Sequence, residues 1–267
     1  LKNQQIFHEH YLSRGYLSSV DPTIVLGVGT TAEIPSIEIT WPDGEKVQLN
    51  NITSNSKITV TYGLSGNVKD APKAKKPILA ALNAKSIGLS YKHREDKIDD
   101  FKKQLLLPYS ASQNGPFTDI ADVNGDGKED IFIGGAAGSP GALFLQQSDG
   151  AFKMDTNKKL WESDREYEDL GVLFLDVDGD GDQDMYVASG GASFPEGSTA
   201  YQDRLYLNNG SGAFSKSQGA LPKMNTSTQV VRANDVDNDG DLDLFIGGRI
   251  VPDKYPYTPS SYLLLNE

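Results

Sequence analysis

Cysteine is absent from the 267 residues, which excludes a disulfide staple, a thiol nucleophile and a thiolate metal site, and leaves the redox compartment open. Basic residues are in deficit: 25 Lys and Arg stand against 37 Asp and Glu, a formal charge of -12. A polyanion would meet a repulsive field, so nucleic acid is disfavoured as a partner. No run of about 18 apolar residues occurs, so no transmembrane helix and no membrane insertion is expected. No charged-then-apolar leader follows the first residue, Leu1, so a signal peptide has been removed or lies outside this sequence. Histidine is limited to three residues, His8, His10 and His93. The first two make an H-x-H near the terminus that reads as incidental, and His93 reads as a structural or surface residue. Ser139, Ser189 and Ser193 sit in glycine-rich turns without a nucleophile elbow or a matching His and Asp order, so a catalytic triad is not expected.

What is abundant is aspartate, in register. The stretches "DVNGDGKEDIFIGG" from Asp122, "DVDGDGDQDMYVASGG" from Asp176 and "DVDNDGDLDLFIGG" from Asp235 repeat at intervals of 54 and 59 residues. A second element follows in phase: "ALFLQQSDGAF" from Ala142, "RLYLNNGSGAF" from Arg204 and "YLLLNE" from Tyr262. Alternating apolar residues, such as Ile131 with Ile133 and Leu205 with Leu207, predict short strands, and the Gly, Asn and Asp clusters predict turns. No amphipathic helix is evident there. Several short strands in each unit of about 55 to 60 residues fit the blade of a β-propeller, which cannot bury both faces alone.

Carboxylates at alternate positions of a glycine-bearing loop suit calcium, a hard cation that takes six to eight oxygens. Side chains at loop positions 1, 3, 5 and 9, with the carbonyl of position 7, give three candidate sites. They are Asp122, Asn124, Asp126 and Asp130 with the Lys128 carbonyl; Asp176, Asp178, Asp180 and Asp184 with the Asp182 carbonyl; and Asp235, Asp237, Asp239 and Asp243 with the Asp241 carbonyl. About three calcium ions are therefore expected, and without them the carboxylates repel. An EF-hand needs a bidentate Glu at position 12, where this chain has Ile133, Val187 and Ile246. The plain alternative is a solvated acidic turn; the first loop, with neutral Asn124 and Lys128 nearby, comes closest to it.

The three loops with their trailing "IFIGG" and "LFIGG" strands resemble the FG-GAP or VCBS repeats of integrin-α-type β-propellers, over roughly residues 86 to 267. That resemblance implies calcium that holds blade geometry rigid without doing chemistry. Residues 1 to 62 differ in character. Ile37, Ile39 and Trp41 alternate, Pro42-Asp43-Gly44 turns the chain, and Val47 and Leu49 return, a hairpin pattern; Ile58, Val60 and Tyr62 predict a further strand. "RGYLSS", "GVG" and "WPDG" in this order resemble the ASPIC/UnbV domain found beside FG-GAP repeats in cartilage acidic protein and in large bacterial surface proteins. The domain's opening strands would lie before Leu1, so the chain reads as an internal fragment of a longer protein.

The expected fold is all-β: a small ASPIC/UnbV-like sheet domain over 1–62, a linker over 63–85 rich in Gly, Pro and Lys, and about three blades of an incomplete propeller over 86–267. "LSYKHRED" predicts a strand that completes a neighbouring blade, with its charges in solvent. Tyr255, Tyr257 and Arg249 fall in a connecting loop that could line a propeller mouth. A closed propeller takes about four to eight blades, so open edges and self-association are expected. The function implied is a non-enzymatic, calcium-stabilised binding or scaffold module for adhesion or for glycan or protein recognition, outside the cell or at its surface (bacterial outer surface or periplasm), where calcium is plentiful. The alternative is part of a glycan-active enzyme such as a propeller polysaccharide lyase, which rests on fold analogy.

Overall fold

The computed structural model describes residues 5–15, 18–63 and 78–266, and divides into two compact units, Leu1–Ala80 and Ala81–Glu267. Most of the expected linker, 64–77, lies outside the described residues, as do Tyr16 and Leu17 of "RGYLSS".

In the first unit, β1 (Glu33–Thr40) and β2 (Lys46–Thr53) form an antiparallel hairpin that pairs Ile37 with Leu49 and Ile39 with Val47. The turn closes because Trp41 N–H donates to the Glu45 carbonyl (2.8 Å), Asp43 Oδ1 accepts from Glu45 N–H (3.0 Å), and Gly44 adopts a φ of 88°. Residues 57–61 do not form the expected third strand; they run without a ladder partner. Tyr62 instead folds back on the turn, with its ring edge-on to Trp41 at 5.5 Å and its hydroxyl donating to Asp43. Side-chain contacts to the turn thus replace backbone pairing.

The second unit is a partial β-propeller of three antiparallel sheets among the described residues. The first holds β3 (Thr118–Ala121), β4 (Asp130–Ile133), β5 (Ala142–Gln146) and β6 (Phe152–Met154) in chain order. The second holds β7 (Asp169–Leu175), β8 (Asp184–Ser189), β9 (Arg204–Leu207) and β10 (Ser215–Lys216). The third holds β11 (Ser227–Asn234), β12 (Asp243–Ile250) and β13 (Tyr262–Leu264). Each acidic loop joins the first and second strands of its sheet.

Sheets stack face to face, which explains why "MYVA" on β8 is a continuous apolar run. Met185 and Val187 face the first sheet, packing with Val123, Phe132 and Leu143, while Tyr186 and Ala188 face the third, packing with Val231, Leu244 and Ile246. All four β8 side chains are fully buried, each large one contributing roughly 1.5 to 3 kcal/mol. Gly171 permits the close approach of β7 to β11: a Cβ there would sit 2.5 Å from the Gln229 carbonyl.

Two expectations fail here. Residues 89–96, "LSYKHRED", add no strand. The segment is held by side chains instead, with Tyr91 hydroxyl donating to the Pro140 carbonyl (2.9 Å) and His93 Nε2 against Glu95 Oε1 (2.8 Å). Its charges are not all in solvent either, because Glu95 and Asp96 turn inward while Lys92 and Arg94 stay exposed. The repeats also contain a short helix, α2 (Lys158–Ser163), which follows α1 (Asp100–Lys103) and carries Trp161 into the core between the first two sheets.

Candidate metal loops and the buried acidic centre

The first aspartate of each loop closes it. Asp122 Oδ2 accepts from Gly127 N–H (2.7 Å), Asp176 Oδ2 from Gly181 N–H (3.0 Å) and Asp235 Oδ2 from Gly240 N–H (3.2 Å). That closure needs left-handed backbone twice per loop, at Gly125 and Gly127, at Gly179 and Gly181, and at Asn238 and Gly240. Asparagine tolerates this region better than other non-glycine residues, which accounts for Asn238 where the other loops have glycine. The fifth position caps the next turn: Asp126, Asp180 and Asp239 accept from the N–H of Lys128, Asp182 and Asp241 at 2.9–3.0 Å.

The ninth position does more than its spacing predicts. Asp130, Asp184 and Asp243 are buried, and each clamps its sheet with both oxygens. One oxygen accepts from the loop, at Val123, Val177 and Val236 N–H (2.8–3.2 Å). The other accepts from an N–H at or just past the end of the third strand, at Gln146, Asn208 and Asn266 (2.7–2.9 Å). Burial pushes the Asp184 carboxyl up, the N–H groups of Asn208 and Val177 pull it back, and repulsion from Asp178 and Asp180 raises it again. A cation in the loop would relieve that repulsion.

Two loops converge carboxylates tightly enough for a metal. Ligand oxygens of Asp176, Asp178 and Asp184 lie within 4.8 Å of one another, as do those of Asp235, Asp237 and Asp239. Asp180 and Asp243 stand outside these groups. The first loop gathers no such trio; there the Lys128 ammonium sits 3.0 Å from Asp126 Oδ2, so an internal cation already offsets its charge. Asp182 faces an open cleft of about 480 Å³ between the first two loops, and its carboxyl is raised by desolvation and by Asp180, Asp176 and Asp178. Gly210, at a φ of 73°, lets the β9–β10 turn close over it: a Cβ there would lie 2.6 Å from the carboxylate oxygens.

Sequence reasoning missed a polar centre at the opposite end of β7. Glu168 is 1% exposed; its Oε2 accepts from Ala137 N–H (2.8 Å) and its Oε1 has no partner. Burial is the main reason its carboxyl is pushed up to about 8; the Ala137 N–H opposes that, and Glu95, Asp169 and Asp96 add repulsion. The neighbouring Asp169 is paired with buried Arg204, whose guanidinium also stacks on Tyr167 at 4.1 Å. Asp203 accepts from Ser189 N–H (2.7 Å), Thr228 Oγ1 (2.6 Å) and Tyr186 hydroxyl (2.7 Å), so it joins the second sheet to the third. These side chains form two adjacent pairs, Glu168-Asp169 and Asp203-Arg204, 35 residues apart and with no counterpart in the acidic-loop repeat, so no local pattern marks them.

The other candidates have plain partners. His8 and His10 stack at 6.0 Å. Ser193 Oγ donates to Asp96 (2.9 Å) and Ser189 Oγ to the Gln202 carbonyl (2.9 Å). Arg249 lies over the Tyr109 ring at 4.7 Å, and Tyr255 N–H donates to Gln104 Oε1 (2.8 Å), which ties that loop to the segment before the first sheet while Tyr257 stays exposed.

Residues 2–66 match the family described as ASPIC and UnbV, and residues 122–187 and 176–246 match the FG-GAP-like repeat. The two overlapping matches begin on Asp122 and Asp176, and each runs from one acidic loop through the next into the strand that follows it. No curated protein matches the chain significantly. No helix among the described residues is long and apolar enough to cross a membrane. The chain thus carries FG-GAP-like repeats over 122–246 and an ASPIC and UnbV segment over 2–66.

Proposed function

We propose that the chain is a calcium-stabilised, non-catalytic binding or scaffold module of a secreted or cell-surface protein, which presents its blades to a protein or glycan ligand. The observation that carries the reading is the convergence of carboxylate oxygens to within 4.8 Å at equivalent places in two successive repeats, where the flanking strands are already clamped by Asp184 and Asp243. Calcium is preferred to magnesium because the donors are carboxylates and a carbonyl on a loop, which suits a larger, more adaptable coordination shell. Asp176, Asp178, Asp180 and Asp184 with the Asp182 carbonyl would hold one ion, and Asp235, Asp237, Asp239 and Asp243 with the Asp241 carbonyl another. Their work is structural: the ion offsets like charge and fixes the loop that joins two strands. The first loop takes calcium more weakly, since Lys128 must first leave Asp126.

Calorimetric titration of chelator-treated protein tests this. Two tighter calcium sites and a weaker third are expected, with a rise in melting temperature on saturation. Lys128→Ala should tighten the weakest site. Calcium-free and calcium-saturated protein of equal stability would refute the reading.

A further inference from the structure

Away from the acidic loops, carboxylates gather a second time, where the segment before the first sheet meets the start of β7. Glu95 and Asp96 turn inward from that segment, and Glu168 stands against them from the second sheet. Two glycines make room for the glutamates. A Cβ on Gly191 would lie 3.2 Å from Glu168 Cγ, and one on Gly115 would lie 2.6 Å from the His93 ring and 3.4 Å from Glu95 Oε1. Hydrogen bonds fix one oxygen of each glutamate: Glu168 Oε2 accepts from Ala137 N–H (2.8 Å), and Glu95 Oε1 accepts from Gly115 N–H (3.1 Å) beside His93 Nε2 (2.8 Å). Asp96 is satisfied at both oxygens, by Ile98 N–H (3.2 Å) and the Ser193 hydroxyl (2.9 Å).

The second oxygens, Glu168 Oε1 and Glu95 Oε2, are buried without a donor. An acceptor left so costs about 1 to 3 kcal/mol, and more when it carries charge. Charge is unbalanced at the same place. Glu95 repels Glu168 more strongly than Asp169 does, although Asp169 is the chain neighbour, and Asp96 adds to the repulsion. Asp169 has Arg204 as its counter-ion, but among the described residues Asp96 and Glu168 make no ion pair and Glu95 makes one only with His93. Buried charges are ordinarily paired or bound to metal. Both oxygens are already enclosed, so the partner that suits them is small and positive. A water would donate without offsetting charge, and a proton would neutralise one glutamate only; a metal cation serves both.

We propose that Glu95 Oε2 and Glu168 Oε1 hold a calcium ion at a site separate from the acidic loops, tying the segment before the first sheet to β7. Oxygen donors select a hard cation, and calcium tolerates the irregular geometry of two glutamates from different elements. With two carboxylates in place of a loop's four, it binds more weakly than the loops. The inference stands on the two buried oxygens and does not depend on whether the loops take calcium.

Crystals of the whole chain grown in calcium, measured at a wavelength where calcium scatters anomalously, test it. A peak between Glu95 and Glu168 is expected whatever the loops show, and a water or nothing there overturns the proposal. In solution, Glu168→Gln should bind one calcium fewer than the parent by calorimetric titration; a peak without that lost ion means binding at crystal concentration only and overturns it too. Urea unfolding at pH 8 adds a sign. In chelator the variant should be at least as stable as the parent, because its NH2 group replaces Oε1 and the repulsion with Glu95 disappears, whereas in calcium it should fall below the parent. The same ranking in both conditions would count against the ion. Glu95→Gln should lose the same calcium and serves if Glu168→Gln does not fold.

Discussion

Replacing Asp184 with asparagine separates two roles that the carboxylate combines. The substitution keeps the shape but turns one oxygen into an NH2 group, and both oxygens already accept, from Val177 N–H at 3.1 Å and Asn208 N–H at 2.8 Å. One of these N–H groups then faces a donor in a site only 1% exposed. A hydrogen bond to a charged group is worth about 1.5 to 3 kcal/mol net, and an orphaned buried donor costs about 1 to 3 kcal/mol. Working against this, the neutral amide relieves repulsion with Asp178 and Asp180, which the raised carboxyl reveals. The balance in chelator is a loss of about 2 kcal/mol. In saturating calcium the variant also forfeits the ion's contribution, about 2.7 kcal/mol at a hundredfold excess over the dissociation constant, so the loss should roughly double. Urea unfolding of both proteins, with calcium and with chelator, reads the two terms separately. Parent-like stability in chelator would refute the clamp between the loop and β9, and equal losses in the two conditions would refute the metal role of Asp184.

Asp180→Ala, at an exposed position whose Oδ1 accepts from Asp182 N–H, should remove one calcium site and cost roughly 1 to 3 kcal/mol in calcium. An equal cost in excess chelator would show that the metal was not responsible. Glu168 makes stability depend on pH. Its carboxyl titrates near 8 when folded against an ordinary value of 4.5, so the folded chain binds the proton more tightly; this stability is full below about pH 4.5 and is lost as pH rises through about 8. The span is at most about 5 kcal/mol, at about 1.36 kcal/mol per pH unit. Glu168→Gln does not titrate, so its unfolding free energy should fall less than the parent's between pH 5 and 8 on those grounds; superimposable pH profiles would contradict the assignment.

The recurrence of the acidic loops determined by itself where the strands of the second unit begin, because a loop with two left-handed positions followed by an apolar run leaves the chain little choice but to turn and enter a sheet. The same holds for the Pro42-Asp43-Gly44 turn, whose local chemistry sets the β1–β2 register. The candidate donors could be named from the sequence because they are neighbours along the chain, and the structure converges three of them in each of the second and third loops. Tertiary structure decided the rest. Convergence of three carboxylates is seen in the second and third loops and not in the first, where Asn124 replaces an aspartate and the Lys128 ammonium lies against Asp126. Extended segments became strands only where a partner edge was available, which Ile58 to Tyr62 and residues 89–96 lacked. The ninth aspartates clamp strands about twenty residues away, and Glu168, Asp169, Asp203 and Arg204 come together because β7, β8 and β9 pair in one sheet, with Ala137 and Thr228 supplied by the sheets on either side. Such contacts join positions with no fixed separation in the chain, so no spacing in the sequence encodes them.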